Sequence, residues 1–338
     1  MLPALAIADA LTQRGVRVSF AGSPDQIEGR LVPDAGFELD TLRTAGLPRC
    51  VSLQLIRSGA TAAAAPWRAL RILRRRRPHV VLGGGGFTGG PVLLAARILG
   101  IPAALTEADA HLGLANRLAA PLVARAFLAY PIDGRVSKRY AVVGRPIPAR
   151  SRSTATQLDA RRAFGLPSDG PVVLVVGGSQ GARALNEAAV EAFGRAGPPI
   201  LHLCGERDFT QLKEAVARSD YRLVPFTDEF GTALAACDLV VSRSGGTVWE
   251  IAAAGKPALL VPFPHATADH QRKNAAYFAA GGGAMLVSEP DLQLGLLVDE
   301  LLKPCTRVKM SRAMRRLARP DAADAIAEEL VRLGNACR

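Results

Sequence analysis

Short apolar strand patterns alternate with helical patterns along the second half of the chain, and this alternation restricts the possible folds more than any other feature. The strand patterns lie at residues 171–176, 200–203, 222–224, 239–242 and 258–261. The helical patterns lie between them, at residues 182–193, 209–218, 232–236 and 247–254. Because a helix that joins two buried strands is the crossover of a parallel βαβ unit, the pattern predicts a doubly wound α/β domain.

The first half carries the same alternation, with one irregularity at its start. Residues 3–15 have helical spacing and come before a strand pattern at 16–20, so this helix has no strand in front of it. A crossover helix lies between two strands, and we therefore expect that the chain lacks its first strand and the loop after it. The remaining patterns predict strands at 79–82 and 101–105, helices at 91–99 and 110–127, and a linker at 140–153.

The length of 338 residues is enough for two domains of this kind. We expect two Rossmann-like domains that face each other across a cleft, residues 1–148 and residues 149–338, with the final helix packing back toward the first domain. Apolar stretches are interrupted by charge well before the length that crosses a bilayer, so no transmembrane helix is predicted.

Positive charge is concentrated in the first half. The chain has 42 Lys and Arg against 30 Asp and Glu, a net charge of +12, and ten arginines lie between Asp40 and Glu107 without one acid. Such a surplus indicates an anionic partner, either nucleic acid, a membrane surface or a phosphorylated substrate. Nucleic acid is the weakest of these readings, because no RNA- or DNA-binding motif is present and only 5% of residues are aromatic.

The cysteines and histidines form no metal or disulfide framework. The five cysteines include no CxxC pair, and the five histidines include no HxH or HExxH spacing. We expect a reducing cytosolic environment and no built-in metal site.

Two glycine-rich segments follow predicted strands and precede predicted helices, where free backbone N–H groups can bind an anion. The first contains Gly85, Gly86 and Phe87, and a close backbone approach explains its glycines equally well. The second contains Gly178, Ser179 and Gln180 and adds a hydroxyl and an amide. Neither is a Walker A loop, which argues against ordinary ATP hydrolysis.

Two later segments place polar side chains at predicted helix starts. In the first, Glu250 lies one turn into a helix and can accept both hydroxyls of a ribose. Small residues precede it: Ser244, Gly245, Gly246 and Thr247. In the second, Gln271 and Asn274 share a helical face beside His270 and suit sugar hydroxyls. Taken singly, each of these residues is also typical of an ordinary surface position.

Taken together, the motifs GGSQGARALN (177–186), RSGGTVWEIAAAGKPALLVPFP (243–264), DHQRKNA (269–275) and RPHVVLGGGGFTGGP (77–91) resemble the MurG family. These are the undecaprenyldiphospho-muramoylpentapeptide β-N-acetylglucosaminyltransferases of bacterial peptidoglycan synthesis. The resemblance implies a GT-B fold and transfer of GlcNAc from UDP-GlcNAc to lipid I, giving lipid II with inversion and without an obligatory metal. It also implies a peripheral location at the cytoplasmic face of the cell membrane.

The resemblance assigns roles to the candidate residues. Ser179 and its neighbours would contact the diphosphate, Thr227 in the 226–228 loop would hold uracil, and Glu250 would bind the ribose. Gln271, supported by Asn274, would contact the sugar hydroxyls, and the loop with Gly85, Gly86 and Phe87 would border the acceptor. Another GT-B glycosyltransferase of glycolipids or natural products, a sugar-nucleotide epimerase and a catalytically impaired UDP-sugar-binding homologue remain as alternatives.

Three departures from the family pattern affect the acceptor side. The family's GGTGGH loop is absent, and its HEQN motif reads Thr-Glu-Ala-Asp at 106–109, which leaves Glu107 and Asp109 as candidate general bases. The last arginine of the family's GNPVR motif is Pro148, so Arg145 or Arg150 would have to replace its phosphate contact.

One helical segment fits a membrane surface. Trp67, Leu70 and Leu73 share a stripe flanked by basic residues, among them the run Arg74, Arg75, Arg76 and Arg77. An apolar stripe with a basic rim is typical of a helix on an anionic leaflet, although a core-facing helix with solvated arginines has the same pattern. The lipid acceptor implied by the resemblance favours the membrane.

Overall fold

The computed structural model describes residues 1–42, 53–177 and 182–336, apart from the side chains of residues 53–63, Phe87 and Arg150. The chain divides into two compact units, which are described separately below. Unit 1 comprises Met1–Ile147 with Asp321–Arg338, and unit 2 comprises Pro148–Pro320.

Unit 1 is an α/β unit whose paired strands all run parallel. Its strands are β1 (Ser19–Gly22), β2 (Glu38–Thr41), β3 (Val81–Gly83), β4 (Ala103–Glu107), β5 (Arg125–Leu128) and β6 (Tyr140–Val142). Its helices before the boundary are α1 (Leu2–Thr12), α2 (Ile27–Asp34), α3 (Leu53–Arg76), α4 (Gly86–Ile98) and α5 (Leu114–Ala119). The helix expected at 3–15 is thus confirmed, and Gly15 adopts the positive φ of a residue that ends a helix.

Two expectations for this unit were wrong. Residues 110–127 were expected to form one helix, but α5 ends at Ala119 and β5 begins at Arg125. The apolar run that continues through both elements obscured the boundary, because both faces of β5 are covered and such a strand shows no alternation. The expected linker at 140–153 begins with β6, which pairs with β5 and belongs to the sheet.

The strands of unit 1 form two separate hydrogen-bonded sheets, β1-β2 and β3-β4-β5-β6. The same two hydrophobic layers cover both. On one face Val18, beside β1, and Leu82, in β3, pack in one cluster with Ile7 of α1. On the other face Leu42, directly after β2, packs in one cluster with Val81 of β3. The interruption in backbone hydrogen bonding between the two sheets therefore lies between β1 and β3, and the hydrophobic core continues across it.

Unit 2 is a doubly wound domain around one parallel sheet. Its strands are β7 (Val173–Val176), β8 (Ile200–Leu203), β9 (Tyr221–Val224), β10 (Leu239–Ser242), β11 (Ala258–Leu260) and β12 (Ala284–Leu286). Its helices are α6 (Gln157–Ala163), α7 (Arg183–Phe193), α8 (Glu206–Ala215), α9 (Phe230–Ala236), α10 (Thr247–Ala253), α11 (His270–Ala280), α12 (Leu294–Leu302) and α13 (Pro304–Leu317). The strand order β12-β11-β10-β7-β8-β9 confirms the expected fold and places the topological switch point between β7 and β10.

A buried polar network fixes α7 against the sheet of unit 2. His202 on β8 hydrogen-bonds to Tyr221 Oη through Nδ1 (2.8 Å) and to Asn186 Oδ1 through Nε2 (3.0 Å). Asn186 donates in turn to Asp208 Oδ2 (3.0 Å). Burial lowers the pKa of His202 to about 3, so the ring is neutral. The network therefore holds α7, which follows residues 178–181 in the sequence, against β8 and β9.

The last helix, α14 (Ala322–Asn335), belongs to unit 1. Its Ile326 and Leu330 pack with Ile7 of α1 in one hydrophobic cluster. Two ion pairs accompany this packing, Arg14 with Asp324 (2.9 Å) and Arg125 with Glu329 (2.6 Å).

Candidate functional site

The donor-side candidates of unit 2 lie in the loops at one edge of its sheet. Thr227 follows β9, the segment from Ser244 to Glu250 follows β10, and Gln271 follows β11. Because all strands of the sheet are parallel, these loops emerge at the same carboxyl edge, beside the switch point. Three further candidates, Gly178, Ser179 and Gln180, follow β7 in the sequence and lie outside the described residues.

Two buried side chains, Asn274 and Arg243, fix the loop that leads into α10. Asn274 is fully buried and its Nδ2 donates to the Ser244 carbonyl oxygen (3.1 Å). Arg243 is also buried, and its Nη1 donates to the carbonyl oxygens of Val261 and Pro262 (3.1 Å each) while its Nη2 pairs with Glu289. Arg243 therefore ties the carboxyl ends of β10 and β11 together.

Arg243 was not among the sequence candidates, although its position contains a signal. A charged residue at the end of a buried strand and directly before a glycine-rich turn is buried only when it is paired. Within the described residues the buried Oγ of Ser244, next along the chain, has no hydrogen-bond partner. The fold therefore leaves a buried hydroxyl with an unused hydrogen-bond donor shortly before the start of α10.

The start of α11 presents the sugar-side candidates. Gln271 Oε1 accepts a hydrogen bond from the Phe263 backbone N–H (3.0 Å), which orients its NH₂ group as a donor for another partner. His270 Nδ1 lies 2.8 Å from the Thr267 carbonyl oxygen, and since a carbonyl only accepts, Nδ1 carries the proton. Ala268 and Asp269, just before them, both have positive φ, a conformation that costs free energy in non-glycine residues.

Glu250 and Thr227 occupy the positions expected of nucleoside ligands. Glu250 is half-buried in the first turn of α10. Thr227 Oγ1 accepts a hydrogen bond from the Glu229 backbone N–H (3.1 Å), which shapes the loop between β9 and α9. The side chains on this edge of the sheet thus suit a ribose diol, an anion and a sugar.

On the acceptor side, Glu107 ends β4 and its buried carboxylate accepts four hydrogen bonds. Oε1 accepts from the backbone N–H groups of Ala108 (2.9 Å) and Asp109 (3.3 Å). Oε2 accepts from the backbone N–H of Gly113 (2.9 Å) and from Asn116 Nδ2 (3.0 Å). These bonds close the 108–113 loop around the carboxylate, and the loop carries the half-exposed Asp109.

Asn116 connects this loop with the first glycine-rich segment. Its Nδ2 also donates to the Thr106 carbonyl oxygen (3.0 Å). A Cβ at Gly85 would lie 3.3 Å from the same nitrogen, and Gly85 and Gly86 both have positive φ. The predicted acceptor residues are thus brought together, and the glycine at 85 is required both by its φ and by the approach of Asn116. The side chain of Phe87 lies outside the described residues.

A small cavity of about 20 Å³ adjoins Glu107. Thr106, Glu107 and Arg145 line it together with Pro3 of α1. Arg145 has no ion-pair partner among the described residues, and its guanidinium is half-buried. The structure therefore places Arg145, one of the two predicted replacements for the family's arginine, on the same cavity as Glu107, one of the two candidate bases. The side chain of Arg150 is not described.

The predicted membrane stripe on α3 needs a correction. Trp67 is 74% exposed, whereas Leu70 and Leu73 are each only 6% exposed and pack in the core with Leu93 of α4. The apolar stripe is the core-facing side of an amphipathic helix. Arg75 and Arg76 are not unpaired cations either. Both pair with the buried Asp40, and Arg76 also pairs with Glu38.

A different apolar surface accompanies Trp67. Helix α4 packs against both α3 and α5, and the three neighbouring helices expose large apolar side chains. These are Trp67 on α3, Leu94 and Ile98 on α4, and Leu114 and Leu118 on α5. Within each pair the spacing of four residues places both side chains on one helical face. The sequence did not predict these exposed side chains, because leucine and isoleucine four residues apart on a helix ordinarily indicate a face that packs in the core.

The described residues contain neither a metal-binding cluster nor a membrane-spanning helix. No group of three or more His, Cys, Asp or Glu could hold a metal ion there. No helix in those ranges is long and apolar enough to cross a membrane.

Comparison with known families gives two matches that together cover most of the chain. Residues 1–128 match the glycosyltransferase family 28 N-terminal domain, and residues 172–328 match the glycosyltransferase family 28 C-terminal domain. A relative from Halorhodospira halophila is 42% identical over 96% of this chain and 92% of its own length. A relative from Nitrosococcus oceani is 39% identical over 99% of this chain and 96% of its own length. Both are called UDP-N-acetylglucosamine–N-acetylmuramyl-(pentapeptide) pyrophosphoryl-undecaprenol N-acetylglucosamine transferase.

Solved structures agree. MurG from Acinetobacter baumannii superposes with a TM-score of 0.79 and 28% identity, covering 98% of this chain and 95% of that one. A UDP-GlcNAc 2-epimerase from Neisseria meningitidis has a TM-score of 0.69 at 16% identity over 98% of this chain and 96% of that one, a likeness of fold alone. The chain therefore has the predicted two-domain GT-B fold.

Proposed function

Because the chain belongs to the MurG family of glycosyltransferases, we propose that it transfers GlcNAc from UDP-GlcNAc to the muramoyl 4-hydroxyl of lipid I. The product is lipid II, a precursor of bacterial peptidoglycan. The observation that carries the proposal is the convergence of Glu250, the Ser244 hydroxyl and the oriented Gln271 amide at one edge of the unit 2 sheet. Diol, anion and sugar recognition at one edge suits a nucleotide sugar.

The donor occupies the carboxyl edge of the unit 2 sheet. Glu250 accepts the ribose hydroxyls, and the 226–228 loop with Thr227 holds the uracil. The diphosphate lies against the helix starts that follow β7 and β10, where Ser179 and Ser244 add hydroxyl donors to the backbone N–H groups. Gln271 donates to the GlcNAc hydroxyls beside His270, and Asn274 acts one step removed by holding the Ser244 loop.

Asp109 is the proposed general base. An inverting transfer requires a general base that removes the proton of the acceptor hydroxyl while UDP departs from the opposite side of the sugar. Glu107 already accepts four hydrogen bonds from its own loop, which makes it a positioning residue. Asp109 lies half-exposed on the loop that these bonds hold, so the hydrogen bonds of Glu107 position the backbone that carries its carboxylate.

Arg145 takes the phosphate contact that the family's motif assigns to the position of Pro148. It lines the same cavity as Glu107, and an arginine presents several N–H donors to an anionic oxygen. The reaction so proposed takes no cofactor, since UDP-GlcNAc is a substrate. Turnover should therefore survive treatment with EDTA.

The acceptor is held in a membrane, and unit 1 offers a surface for it. The exposed apolar residues of α3, α4 and α5 lie beside Arg68, Arg71, Arg97 and Arg117 on the same three helices. Apolar side chains that enter the interface next to cations suit an anionic leaflet. We place the enzyme peripherally on the cytoplasmic face, where this surface meets the lipid.

The test is product formation by the purified chain from UDP-GlcNAc and a short-chain lipid I analogue. We expect a product whose mass is one GlcNAc greater than the acceptor, with release of UDP. A natural-product acceptor offered in place of the lipid I analogue should give no product. Formation of UDP-ManNAc from UDP-GlcNAc without acceptor would instead identify an epimerase, and UDP-GlcNAc binding without either product would identify an impaired homologue.

A further inference from the structure

The positive charge of the second half of the chain is concentrated on one helix. No acid lies between Glu300 and Asp321, and this interval holds seven basic residues. Residues 151–338 contain 22 basic and 21 acidic residues, so without the interval the same region has 15 basic residues against 21 acidic ones. The near neutrality of this half therefore conceals one strongly basic segment, which consists of α13 with five basic residues and of Lys303 and Arg319 on either side of it.

The basic residues of α13 lie on its exposed side. Met310, Ala313 and Met314 form the buried side of the helix. Lys309, Arg312 and Arg316 recur at spacings of three and four residues, which places them along one helical face. Arg319 follows two residues after the helix ends, and all four residues are exposed. We refer to these four residues as the α13 basic face. The exposed Val308 and Cys305 lie on the same side of the helix.

The α13 basic face forms no ion pairs within the described part of the chain. Lys303 and Arg307, which start the helix, pair with Glu300 and Asp238. Among the described residues no carboxylate forms an ion pair with the four residues of the α13 basic face. Hydrogen bonds from Arg316 and Arg319 go to backbone carbonyl oxygens only, such as that of Gly281 (3.2 Å). Like charges on one face repel each other, so a bound anionic surface stabilises this arrangement.

We propose that the α13 basic face is a second membrane contact, which binds anionic phospholipid headgroups of the bilayer. The charge of the face is complementary to an anionic leaflet, and the exposed Val308 beside it can enter the interface. α13 contains no aromatic residue on which a nucleic-acid base could stack. A bilayer as partner also rests on the proposed function, since that places the acceptor in the membrane.

The test measures vesicle binding without substrates, so it does not depend on whether the proposed reaction occurs. Full-length protein is sedimented with phosphatidylcholine vesicles that contain or lack phosphatidylglycerol. The test variant combines Arg312→Gln, Arg316→Gln and Arg319→Gln, since glutamine keeps a good helix propensity. The control variant combines Arg162→Gln, Arg195→Gln and Lys213→Gln, exposed positions of unit 2 that remove the same charge elsewhere.

We expect the test variant to partition onto phosphatidylglycerol vesicles at least tenfold less than the control, since each basic residue near an anionic surface contributes about fivefold. A triple Arg→Lys variant at the same positions should bind as the native chain does. Equal partition of the test and control variants would overturn the proposal. So would a loss confined to RNA binding, which would identify a nucleic acid as the partner.

A fluorophore on Cys305 reports membrane contact at α13 itself, and a general change in stability would not alter its spectrum in the same way. An environment-sensitive fluorophore is attached to Cys305 in a chain with Cys50→Ser and Cys337→Ser, while Cys204 and Cys237 are buried. We expect a blue shift on phosphatidylglycerol vesicles and none on phosphatidylcholine alone. An unchanged spectrum on vesicles that sediment the protein would show that another surface makes the contact.

Discussion

The side-chain amide of Asn116 donates to the carboxylate of Glu107 across 3.0 Å in the interior of unit 1. The same nitrogen donates to the Thr106 carbonyl oxygen, so one side chain joins the end of β4, the loop that carries Asp109 and the start of α5. Replacing Asn116 by Asp removes this donor and places a second carboxylate against Glu107. We expect a loss of about 1–3 kcal/mol in the free energy of unfolding and a fall in kcat of at least tenfold.

Chemical denaturation and steady-state kinetics measure both effects. The exposed Asn335→Asp on α14 makes the same chemical change and serves as the control. Native kcat in a folded Asn116→Asp variant would contradict a positioning role for this amide.

The two carboxylates at the end of β4 should respond differently to amide substitution. Asp109→Asn is expected to lower kcat by roughly 10²–10⁴-fold, because a general base is lost, with little change in thermal stability. Glu107→Gln turns an NH₂ group toward backbone N–H donors and should lower the melting temperature first. Thermal unfolding and kcat, measured on both variants, separate the roles. A larger loss of kcat in a fully stable Glu107→Gln variant would reverse the assignment.

Glu250→Gln should weaken UDP binding about tenfold, since a hydrogen bond to a charged group contributes roughly 1.5–3 kcal/mol. Titration calorimetry with UDP and 2′-deoxy-UDP locates the contact. The native chain should distinguish the two nucleotides, and the variant should bind them nearly equally. Glu191→Gln, on the exposed side of α7, is the matched control. Undiminished discrimination in the Glu250 variant would remove this residue from the ribose site.

The buried His202 should make stability depend on pH. Desolvation lowers its pKa to about 3, whereas an unfolded histidine titrates near about 6.5. Between these values the unfolded chain binds one proton more, so stability falls as pH decreases, by up to about 1.4 kcal/mol per unit. Urea unfolding between about pH 7 and about pH 5, above the usual range of carboxylate titration, should show a shallower pH dependence in His202→Gln. The exposed His79→Gln controls for the substitution, and identical slopes in native and His202 chains would refute the effect.

The corrected membrane surface predicts a division among the α3 and α5 side chains. Trp67→Ser with Leu118→Ser should reduce partition onto vesicles while leaving the unfolding free energy nearly unchanged, because both residues are exposed. Leu70→Ala should instead cost about 2–5 kcal/mol of stability, since it removes a buried side chain. Sedimentation and denaturation of the two variants test this. Vesicle binding lost on Leu70→Ala alone would restore the original stripe.

The sequence was sufficient to predict what depends on short-range pattern. β8 and β10 lie where their apolar runs predicted, and the loops after β9, β10 and β11 carry the polar residues expected at the carboxyl edge. Family resemblance supplied the roles of those residues, because the chemistry of Glu250 alone fits many helices.

Other features depend on contacts between distant residues and could not be read from spacing. The sequence pattern of an apolar stripe with a basic rim is the same whether the stripe faces lipid or core. Only the packing of Leu73 against α4 showed that this stripe faces the core. The pairing of Arg76 with Asp40, across 36 positions, turned part of the apparent lipid-binding run into a structural clamp. The four hydrogen bonds to Glu107 likewise depend on the conformation of the 108–113 loop, which the sequence pattern does not specify.

The interruption between β1 and β3 sets the order in which unit 1 comes apart. Within the described ranges β1 is hydrogen-bonded to β2 alone, so this pair has no ladder to share with the four-stranded sheet. Its attachment depends on side-chain packing and on the grip of Arg75 and Arg76 on Asp40. We therefore expect residues 19–41 to open as a unit of low local stability, with amide protons that exchange with solvent well before those of β4 and β5.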